Sequence, residues 1–561
     1  MQRKVLLILA VLLFIIAFFS RFYKLGQIPL GLNKDETAIG YNAYSILKTG
    51  KDEYGISNPI YFKSYNDYKL PVYIYMTVVS EKLFGVTQFA IRFPSAVFGL
   101  VTIISLFFLV KILSKRLDLA VLSSLFLAFN PWQFFFSRTG FEVNVATAFA
   151  TLGALLFILG IRHRNNLILI AFSILSFALS VYSYNVARLL APLLLSSLVS
   201  LYRSEIRRMP RIRILLCMLF GFLLALPLIV TLKEGSGLHN QIGGVFLTGT
   251  NTKAQQTEIR SYLLNLPSFY SKVFFNSPLL ILLDYLRNIV MSFSVDFFFI
   301  NGAKYVNGVA NYGMFHAFEF VTIMIGLYNG IKKRVNFLTF FLIWSALLVI
   351  LISLTVETPH PTRSFMLVVP LSVFSAYGSI LVWEYISGAR GRLSKPLLQL
   401  LLIIISSYSV IYYFTIYFFM FPANQAKIWR SADQGLITFL TAHEEEYDKI
   451  IIDNKLDFSY TALAFYKELS PVTYQSDVRY RKDGLLSTAS KLGKYEFTDV
   501  NWDSYYSNDR ILYVTTADGF TNKPVYKTFY YPERPVSLSV NGTIVVFPHK
   551  DTAYVLIRNV K

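Results

Sequence analysis

The chain has 561 residues, 54% of them hydrophobic, and a mean hydropathy of +0.49. Its apolar residues form long runs, which excludes an ordinary soluble globular protein. The net charge of +20 fits two classes: a nucleic-acid binder with a basic face, or a membrane protein with basic cytoplasmic loops.

Apolar runs recur through the first three quarters of the chain. A spanning helix needs about 20 apolar residues, and backbone in hydrocarbon must be helical to satisfy its hydrogen bonds. The first run follows a basic N-terminus but lacks a small-residue cleavage site, so we interpret it as an uncleaved helix. The pattern predicts about eleven spans. These cover residues 5–20, 93–113, 118–136, 143–161, 166–183, 189–202, 213–232, 313–331, 335–355, 364–386 and 397–421.

Two further apolar segments are predicted to lie in the membrane interface rather than to cross it. Residues 70–85 are apolar but short, and counting them as a span would move the next basic cluster to the outer side. Residues 279–300 contain Asp284, Arg287 and Asp296, which are costly in hydrocarbon. The second segment is therefore expected to be interfacial or re-entrant.

Basic clusters separate the two classes that the net charge leaves open. If the chain alternates through the predicted spans, all of these clusters fall on one side, as expected for cytoplasmic loops. We therefore expect a cytoplasmic N-terminus and no nucleic-acid partner. The clusters are Arg3–Lys4, Lys111–Arg116, Arg162–Arg164, Arg203–Arg213, Lys332–Arg334 and Arg390–Lys395.

The sequence changes character after residue 421. Residues 422–561 are more polar and rich in Tyr, and the segments DKIIIDN, RILYVTTADG, GTIVVFPH and AYVLIRN are typical of strands. Residues 431–443 and 459–468 are predicted to be helices. The expected organisation is a transmembrane domain over 1–421 and a small extracytoplasmic α/β domain over 422–561.

An acidic pair, Asp35 and Glu36, lies in the first outward loop, in the stretch NKDETAIGYNAYSI. It precedes an amphipathic pattern, so it could simply stabilise the N-terminus of a helix by about 0.5–2 kcal/mol. Carboxylates can also remove a proton from a hydroxyl or bind a divalent cation. The spacing alone favours the capping interpretation.

Other ionisable side chains recur near the outward ends of the spans. Each has a structural alternative as an interface anchor, a loop residue or half of an ion pair. Together they suggest one site, since Arg and Lys can hold a phosphate and stabilise its charge as it leaves. These residues are Lys69, Arg138, Glu142, Tyr184, Arg188, His360 and Arg363.

Several of these stretches resemble the GT-C glycosyltransferases, most closely the protein O-mannosyltransferase and lipid A aminoarabinose transferase type. The similar stretches are NKDETAIGYNAYSI, the Lys-Leu-Pro helix start, FGVTQFAIRFPSAVFGLVTI, FNPWQFFFSRTGFEVNVATAFA, YSYNVARLLAPLLL and PHPTRSFMLVVPL. The resemblance covers roughly residues 1–390 and does not reach the tail. Its motifs are moderately specific singly and more so in combination.

The resemblance implies a role for each matching residue. Asp35 would be the base that activates the acceptor, with Glu36 beside it and Glu142 at a second acidic position. Lys69, with Arg138, Arg188 and Arg363 as weaker matches, would bind the donor phosphate, and Tyr184 and His360 would line the pocket. A divalent metal at Asp35 and Glu142 stays open. The family often has two prolines after the lysine, whereas this chain has Lys69-Leu70-Pro71.

The expected function is inverting transfer of a sugar from a polyprenyl-phosphate donor to a lipid, glycan or protein acceptor on the outer face of the plasma membrane. The alternative is a polytopic transporter or lipid flippase, which would place its charges at the bilayer midplane within broken helices. A second alternative is a non-catalytic scaffold for envelope assembly, which would keep its function when the acidic loop is changed. The sugar, the lipid carrier and the acceptor are not readable from the sequence.

Overall fold

The computed structural model describes residues 2–65, 67–163, 165–233, 246–247, 258, 262, 268–303, 305–388, 394–456, 458–483, 486–500, 502, 510–516, 524–540 and 543–558. Long apolar runs fold as helices because only a helix satisfies its own backbone within the run. The helices α1 to α9 are Gln2–Phe22, Lys34–Thr49, Pro71–Phe84, Gln88–Ser114, Leu117–Phe129, Pro131–Phe136, Glu142–Arg162, Leu167–Val181 and Ala187–Leu201. The helices α10 to α18 are Arg203–Arg207, Arg211–Lys233, Ser268–Phe274, Ser277–Met291, Glu319–Lys332, Thr339–Ser353, Pro361–Ser364, Val368–Gly388 and Ser394–Thr415.

Strands and short helices characterise the C-terminal part, as predicted. The helices α19 to α22 are Phe421–Asn424, Asp433–His443, Tyr460–Tyr466 and Pro471–Asp477. The strands β1 and β2, Phe62–Ser64 and Asp67–Lys69, lie in the first loop. The strands β3 to β11 of the C-terminal part are Lys449–Asp453, Arg479–Asp483, Leu486–Leu492, Tyr495–Thr498, Ile511–Thr515, Val525–Tyr530, Arg534–Val540, Thr543–His549 and Thr552–Arg558.

Two compact units divide the chain, and each draws on separate segments. The helical unit comprises Met1–Arg21, Ser95–Ser137 and Phe141–Tyr413. The mixed unit comprises Phe22–Pro94, Arg138–Gly140 and Phe414–Lys561, so it contains both the first loop and the C-terminal tail. The predicted domain boundary at residue 421 stays a prediction, because these units follow spatial contacts rather than chain order.

The expectation of a polytopic helical membrane protein is confirmed. Among the described residues, seven helices are long and apolar enough to cross a membrane: Gln88–Ser114, Glu142–Arg162, Arg211–Val230, Ser277–Ile300, Asn336–Ser353, Pro361–Gly388 and Lys395–Asn424. Shorter apolar helices cover Ile8–Phe22, Leu117–Phe129, Leu167–Val181 and Ala187–Leu201.

The predicted spans match these helices with two differences. The segment 313–331 contains α14, which has 14 residues and is not among the apolar helices above. Ser277–Ile300, which contains the segment 279–300, is long and apolar enough to cross; the interfacial or re-entrant placement of 279–300 stays a prediction.

Close packing in the helical unit depends on small residues. A Cβ atom added at Gly378 of α17 would lie 1.8 Å from the Thr322 carbonyl oxygen of α14, and one at Gly326 would lie 2.1 Å from that of Phe374. Thr322 and Ser375 share a hydroxyl hydrogen bond of 2.9 Å across the same contact. Glycines and small polar side chains let these two helices approach closely, as is common between apolar helices.

A sheet dominates the C-terminal part of the mixed unit. Within the described residues it has seven strands in the order β4-β5-β6-β3-β7-β11-β8. The central strand β3 runs parallel to β6 and β7, while the outer pairs are antiparallel. β3 and β11 are largely buried, with helices and strands contributing to the same core. The predicted α/β tail is confirmed.

Candidate functional site

Asp35 and Glu36 lie in the first turn of helix α2, and the capping contacts at the start of this helix fix their positions. Asn33 caps the helix: its side chain accepts a hydrogen bond of 2.9 Å from the Glu36 N–H, and the Glu36 carboxylate accepts one of 3.3 Å from the Asn33 N–H. This reciprocal capping box satisfies two backbone donors at the helix start. Gly50 ends the helix in the left-handed conformation, at φ 71°. The cap thus uses Glu36 and leaves Asp35 to face outward.

Asp35 is exposed and forms an ion pair with Lys69. The Lys69 ammonium lies 2.8 Å from the Asp35 carboxylate, and Lys69 itself is only 6% exposed. Asp67, on the same strand as Lys69, is 3.9 Å from the ammonium. The positive charge of Lys69 holds the pKa of the Asp35 carboxyl below its usual value. Asp35 is therefore an ionised carboxylate at neutral pH.

The β1–β2 hairpin places Lys69 opposite α2. Phe62 pairs with Lys69 in the antiparallel register, and Lys69 ends β2 two residues before α3 begins at Pro71. Proline suits the first turn of a helix because the N–H it lacks would have no partner there. A single proline after Lys69-Leu70 is thus enough to start the helix.

Glu36 is buried in an ion pair with Arg92. Both side chains have no exposed surface, and Arg92 donates to the two carboxylate oxygens at 2.9 and 3.1 Å. The Gly140 N–H donates to the same carboxylate at 2.8 Å. Arg92 also donates to backbone carbonyls of the loop before α2, including Pro29 at 2.8 Å. All of these Glu36 contacts stabilise the loop and the start of α2. The catalytic role of Glu36 stays a prediction.

Arg138 also braces the loop before α2. Its guanidinium is fully buried and donates to the Tyr23 carbonyl oxygen at 2.8 Å and to the Tyr417 hydroxyl at 3.1 Å. It lies over the Phe418 ring, 5.3 Å from the centroid. The predicted phosphate-binding role of Arg138 stays a prediction, and its observed contacts order the segment that leads to Asp35.

The tail contacts the other side of α2 through hydroxyl groups. Thr37 lies 2.7 Å from Thr461 and 3.3 Å from Ser459 through their side-chain oxygens, and the Tyr65 hydroxyl lies 2.8 Å from Thr461. All four side chains are buried. Tyr41 extends the contact by donating to the Leu469 carbonyl oxygen at 3.1 Å. The helix that carries Asp35 is thus anchored by residues more than 420 positions away in the chain.

The remaining predicted site residues belong to the helical unit. Glu142 begins α7, where the helix dipole favours a carboxylate. Burial and the nearby Arg363 charge lower the pKa of His360 to about 4, so it is neutral at pH 7. Arg363 donates to the Val356 carbonyl oxygen, and Tyr184 lies within electrostatic range of Arg363. Arg188 is the second residue of α9. The roles of all five stay predictions.

A divalent metal at Asp35 and Glu142 stays a prediction that is not tested by the described residues. Among them, no group of three or more His, Cys, Asp or Glu side chains is arranged to hold an ion. The Asp35 carboxylate is already paired with an ammonium at 2.8 Å, which competes for the same oxygens. No step below depends on a metal.

Sequence reasoning missed several residues that position Asp35. Arg92 lies within the stretch FGVTQFAIRFPSAVFGLVTI, but nothing in the neighbouring sequence marks it as the partner of Glu36. Asn33 was readable, since Asn followed three residues later by Glu is a capping-box signature. Ser459 and Thr461 had no signal at all, because their contact with Thr37 exists only in the folded chain.

Comparison with known proteins provides independent information on the fold. Residues 68–230 match the family model described as dolichyl-phosphate-mannose-protein mannosyltransferase. The structure is similar to the crystal structure of apo ArnT from Cupriavidus metallidurans, with a TM-score of 0.54 and 11% identity over 100% of this chain and 99% of that chain. No curated protein sequence matches the chain.

Two further solved structures are similar. ArnT from Cupriavidus metallidurans bound to undecaprenyl phosphate matches with a TM-score of 0.54 and 11% identity over 98% of each chain. The archaeal oligosaccharyltransferase AglB from Archaeoglobus fulgidus, in complex with an inhibitory peptide and a dolichol-phosphate, matches with a TM-score of 0.47 and 13% identity. That match covers 84% of this chain and 64% of AglB.

Proposed function

From the GT-C glycosyltransferase fold that this chain shares with ArnT, we propose that it transfers a sugar from a polyprenyl-phosphate-linked donor to an acceptor at the outer face of the membrane. The observation that carries the proposal is the Asp35–Lys69 pair: an exposed, ionised carboxylate 2.8 Å from a nearly buried ammonium. A base and a cation side by side suit a reaction that removes a proton and releases a phosphate.

Asp35 acts as the general base in this mechanism. Its carboxylate takes the proton of an acceptor hydroxyl as that oxygen attacks the anomeric carbon of the donor. The bond from the anomeric carbon to the phosphate oxygen breaks in the same step, and the polyprenyl phosphate leaves with the electron pair. A single in-line displacement inverts the anomeric centre. Lys69 keeps Asp35 ionised, and its positive charge stabilises the negative charge on the leaving phosphate.

The lipid-phosphate donor is supported by the fold and by ArnT, whose crystal structure with undecaprenyl phosphate matches this chain over 98% of its length. The match of residues 68–230 to the mannosyltransferase family model begins one residue before Lys69 and so includes the proposed phosphate contact. The acceptor is a lipid, a glycan or a protein. The positions of the basic clusters support a cytoplasmic N-terminus and an extracytoplasmic site in the plasma membrane.

Replacing the proposed base tests the function and identifies the sugar in the same experiment. In a strain that lacks this protein, mass spectrometry of envelope glycans and glycoproteins should show a missing sugar that the wild-type gene restores. Asp35→Asn should fail to restore it, because the amide cannot accept the proton. We expect a loss of at least about 100-fold, as is typical when a general base is removed.

Asp67→Asn is the matched control for this experiment. Asp67 is also exposed and lies near the same ammonium, but at 3.9 Å, and it should leave the sugar in place. Restoration by Asp35→Asn would rule out Asp35 as the base. No change in any glycan on deleting the gene would rule out the transferase itself.

A further inference from the structure

Two adjoining clefts open in the mixed unit, apart from Asp35 and Lys69. Their volumes are about 510 and 520 Å³, within the range of about 300–1,000 Å³ that is common for small-ligand sites. Both are lined by Gly26, Gln27, Gln88 and Gln434, so they form two lobes of one cleft. Asp35 and Lys69 line neither lobe. The cleft therefore needs an explanation that the proposed catalytic pair does not supply.

Amide side chains line the junction of the two lobes. Gln88 donates to the Gln434 side-chain oxygen at 3.1 Å and to the Tyr466 hydroxyl at 3.1 Å. The remaining Gln88 oxygen is buried and, among the described residues, has no hydrogen-bond partner. Gln27 and Gln434 are exposed and can both donate and accept.

The first lobe adds aromatic rings and balanced charge. Tyr530 and Tyr531 line it, and Tyr530 is 54% exposed. Its cation, Lys550, is paired with Glu533 at 3.0 Å. Carbohydrates have hydroxyls that donate and accept as amides do, and C–H faces that pack on aromatic rings. The second lobe has one cation, Lys24, which lies over the Tyr23 ring, 5.5 Å from its centroid. The amides, the rings and the ion-paired lysine of the first lobe suit a neutral sugar better than an anion.

The cleft also lies within reach of the proposed base. Gly31 lines the first lobe and lies four positions before Asp35 in the chain. Because an extended chain spans at most about 3.6 Å per residue, their Cα atoms lie within about 14 Å of each other. An acceptor of a few sugar residues can occupy the cleft while its terminal hydroxyl meets Asp35.

We propose that this cleft binds the carbohydrate portion of the acceptor, a neutral oligosaccharide, beside the catalytic pair. That this oligosaccharide is the acceptor rests on the proposed function. That the cleft binds it is independent of the proposed function. The tail thereby acquires a role as one wall of the acceptor site, contributed by Gln434 and the Tyr530–Tyr531 segment.

Ligand-observed NMR tests the proposal on the full-length protein in lipid nanodiscs. The probes are neutral trisaccharides of mannose, glucose and N-acetylglucosamine, with inorganic phosphate and a Ser/Thr-containing peptide as competing classes. At least one trisaccharide should show saturation transfer. The double variant Gln27→Ala/Gln434→Ala and, independently, Tyr530→Ala should each weaken its binding by about fivefold or more, as expected for lost hydrogen bonds or ring contacts.

Two variants separate the cleft from the catalytic pair. Thr441→Ala, an exposed position on the same helix as Gln434 but outside the cleft, should bind as the wild type does. Asp35→Asn should bind the trisaccharide normally while losing transfer. Binding of no trisaccharide, binding of phosphate or peptide alone, or equal binding by the wild type and both cleft variants would overturn the proposal. Retained transfer by Asp35→Asn would instead count against the proposed base.

Discussion

Two adjacent carboxylates at the start of α2 occupy opposite environments. Asp35 is exposed beside Lys69, whereas Glu36 has no exposed surface and is held by Arg92 and the Gly140 N–H. In a helix, neighbouring side chains point about 100° apart, so one faces outward while the next faces the core. A reaction needs an accessible base, and a stable loop needs a satisfied ion pair. Asp35 is suited to the first of these tasks and Glu36 to the second.

Removing Lys69 should change the pH dependence of transfer. Lys69 holds the pKa of Asp35 below its usual value, so the base stays ionised down to acidic pH. In Lys69→Met that pKa rises, and activity is lost at a higher pH as the medium is acidified. The acidic limb of kcat/KM against pH should therefore move upward.

Lys63→Met provides the comparison for that pH profile. Lys63 lies on the same hairpin but is positioned over the Tyr54 ring, 5.5 Å from its centroid. Its variant should keep the wild-type acidic limb. An unmoved limb in Lys69→Met would show that Lys69 does not control the ionisation of the base.

Breaking the buried pair should cost stability. Glu36→Gln leaves the Arg92 charge buried without its carboxylate, which typically costs about 3–5 kcal/mol. The free energy of unfolding, measured with denaturant in detergent micelles, should fall by that amount. Asp35→Asn should lower it by less, because Asp35 is exposed and Asp67 remains 3.9 Å from the Lys69 ammonium. Equal stability of the two variants would mean that Glu36 is not the structural member of the pair.

At the scale of elements, α2 is packed between α4 and the tail. One side meets Ile91 of α4 and the other meets α21, and Gly40 lies where these surfaces converge. A Cβ atom there would come within 2.6 Å of the Ile91 side chain and 2.7 Å of the Phe465 ring. Contacts this close require a residue without a side chain. The position of Asp35 thus depends on packing about one and a half turns further along the helix.

Gly40→Ala should therefore destabilise the protein and reduce transfer. Overpacking of a filled site costs about 1–3 kcal/mol, and the Ile91 side chain and the Phe465 ring have to move to accept the methyl group. Unfolding in detergent and sugar transfer in membranes would measure the two effects. Gly435→Ala is the matched control, because a Cβ atom there meets nothing closer than 4.0 Å. It should stabilise α20 by about 0.5–1 kcal/mol.

At the scale of the whole molecule, the basic clusters predict the orientation in the membrane. Arg164 of one cluster and Arg390 and Arg392 of another lie outside the described residues, but the rule depends only on their place in the sequence. If it holds, the first loop and the tail face outward and the loop around Arg203–Arg213 faces the cytoplasm. The proposed base then meets an acceptor outside the cell.

Cysteine labelling tests that orientation. Cys217 is the one cysteine in the sequence, so Cys217→Ser provides a background without thiols. On that background, Lys51→Cys should react with a membrane-impermeant maleimide added to intact cells. Ser204→Cys should react only after the membrane is permeabilised. Both positions are exposed, so the reverse pattern would mean that the N-terminus faces outward.

The sequence by itself determined what depends on neighbouring residues. Apolar runs predicted most of the helices, alternating segments predicted β3, β7, β10 and β11, and the acidic pair predicted a helix start that Asn33 and Glu36 indeed form. Scattered stretches also resemble those of GT-C enzymes, and the fold that this resemblance implies is similar to the fold of ArnT. Hydropathy, strand patterns and helix capping each depend on residues that are close in the chain, so the elements they form can be predicted from the sequence.

Only the tertiary structure decided which partner each charged or polar group finds. The pairing of Asp35 with Lys69 spans 34 positions, that of Glu36 with Arg92 spans 56, and that of Thr37 with Thr461 spans 424. No local pattern encodes these contacts, because they form only when hydrophobic burial brings distant segments together. The same packing forms the cleft that Gln27 and Gln434 line. The sequence therefore shows which acidic, basic and hydroxyl side chains are present, and only the folded chain shows which of them contact one another.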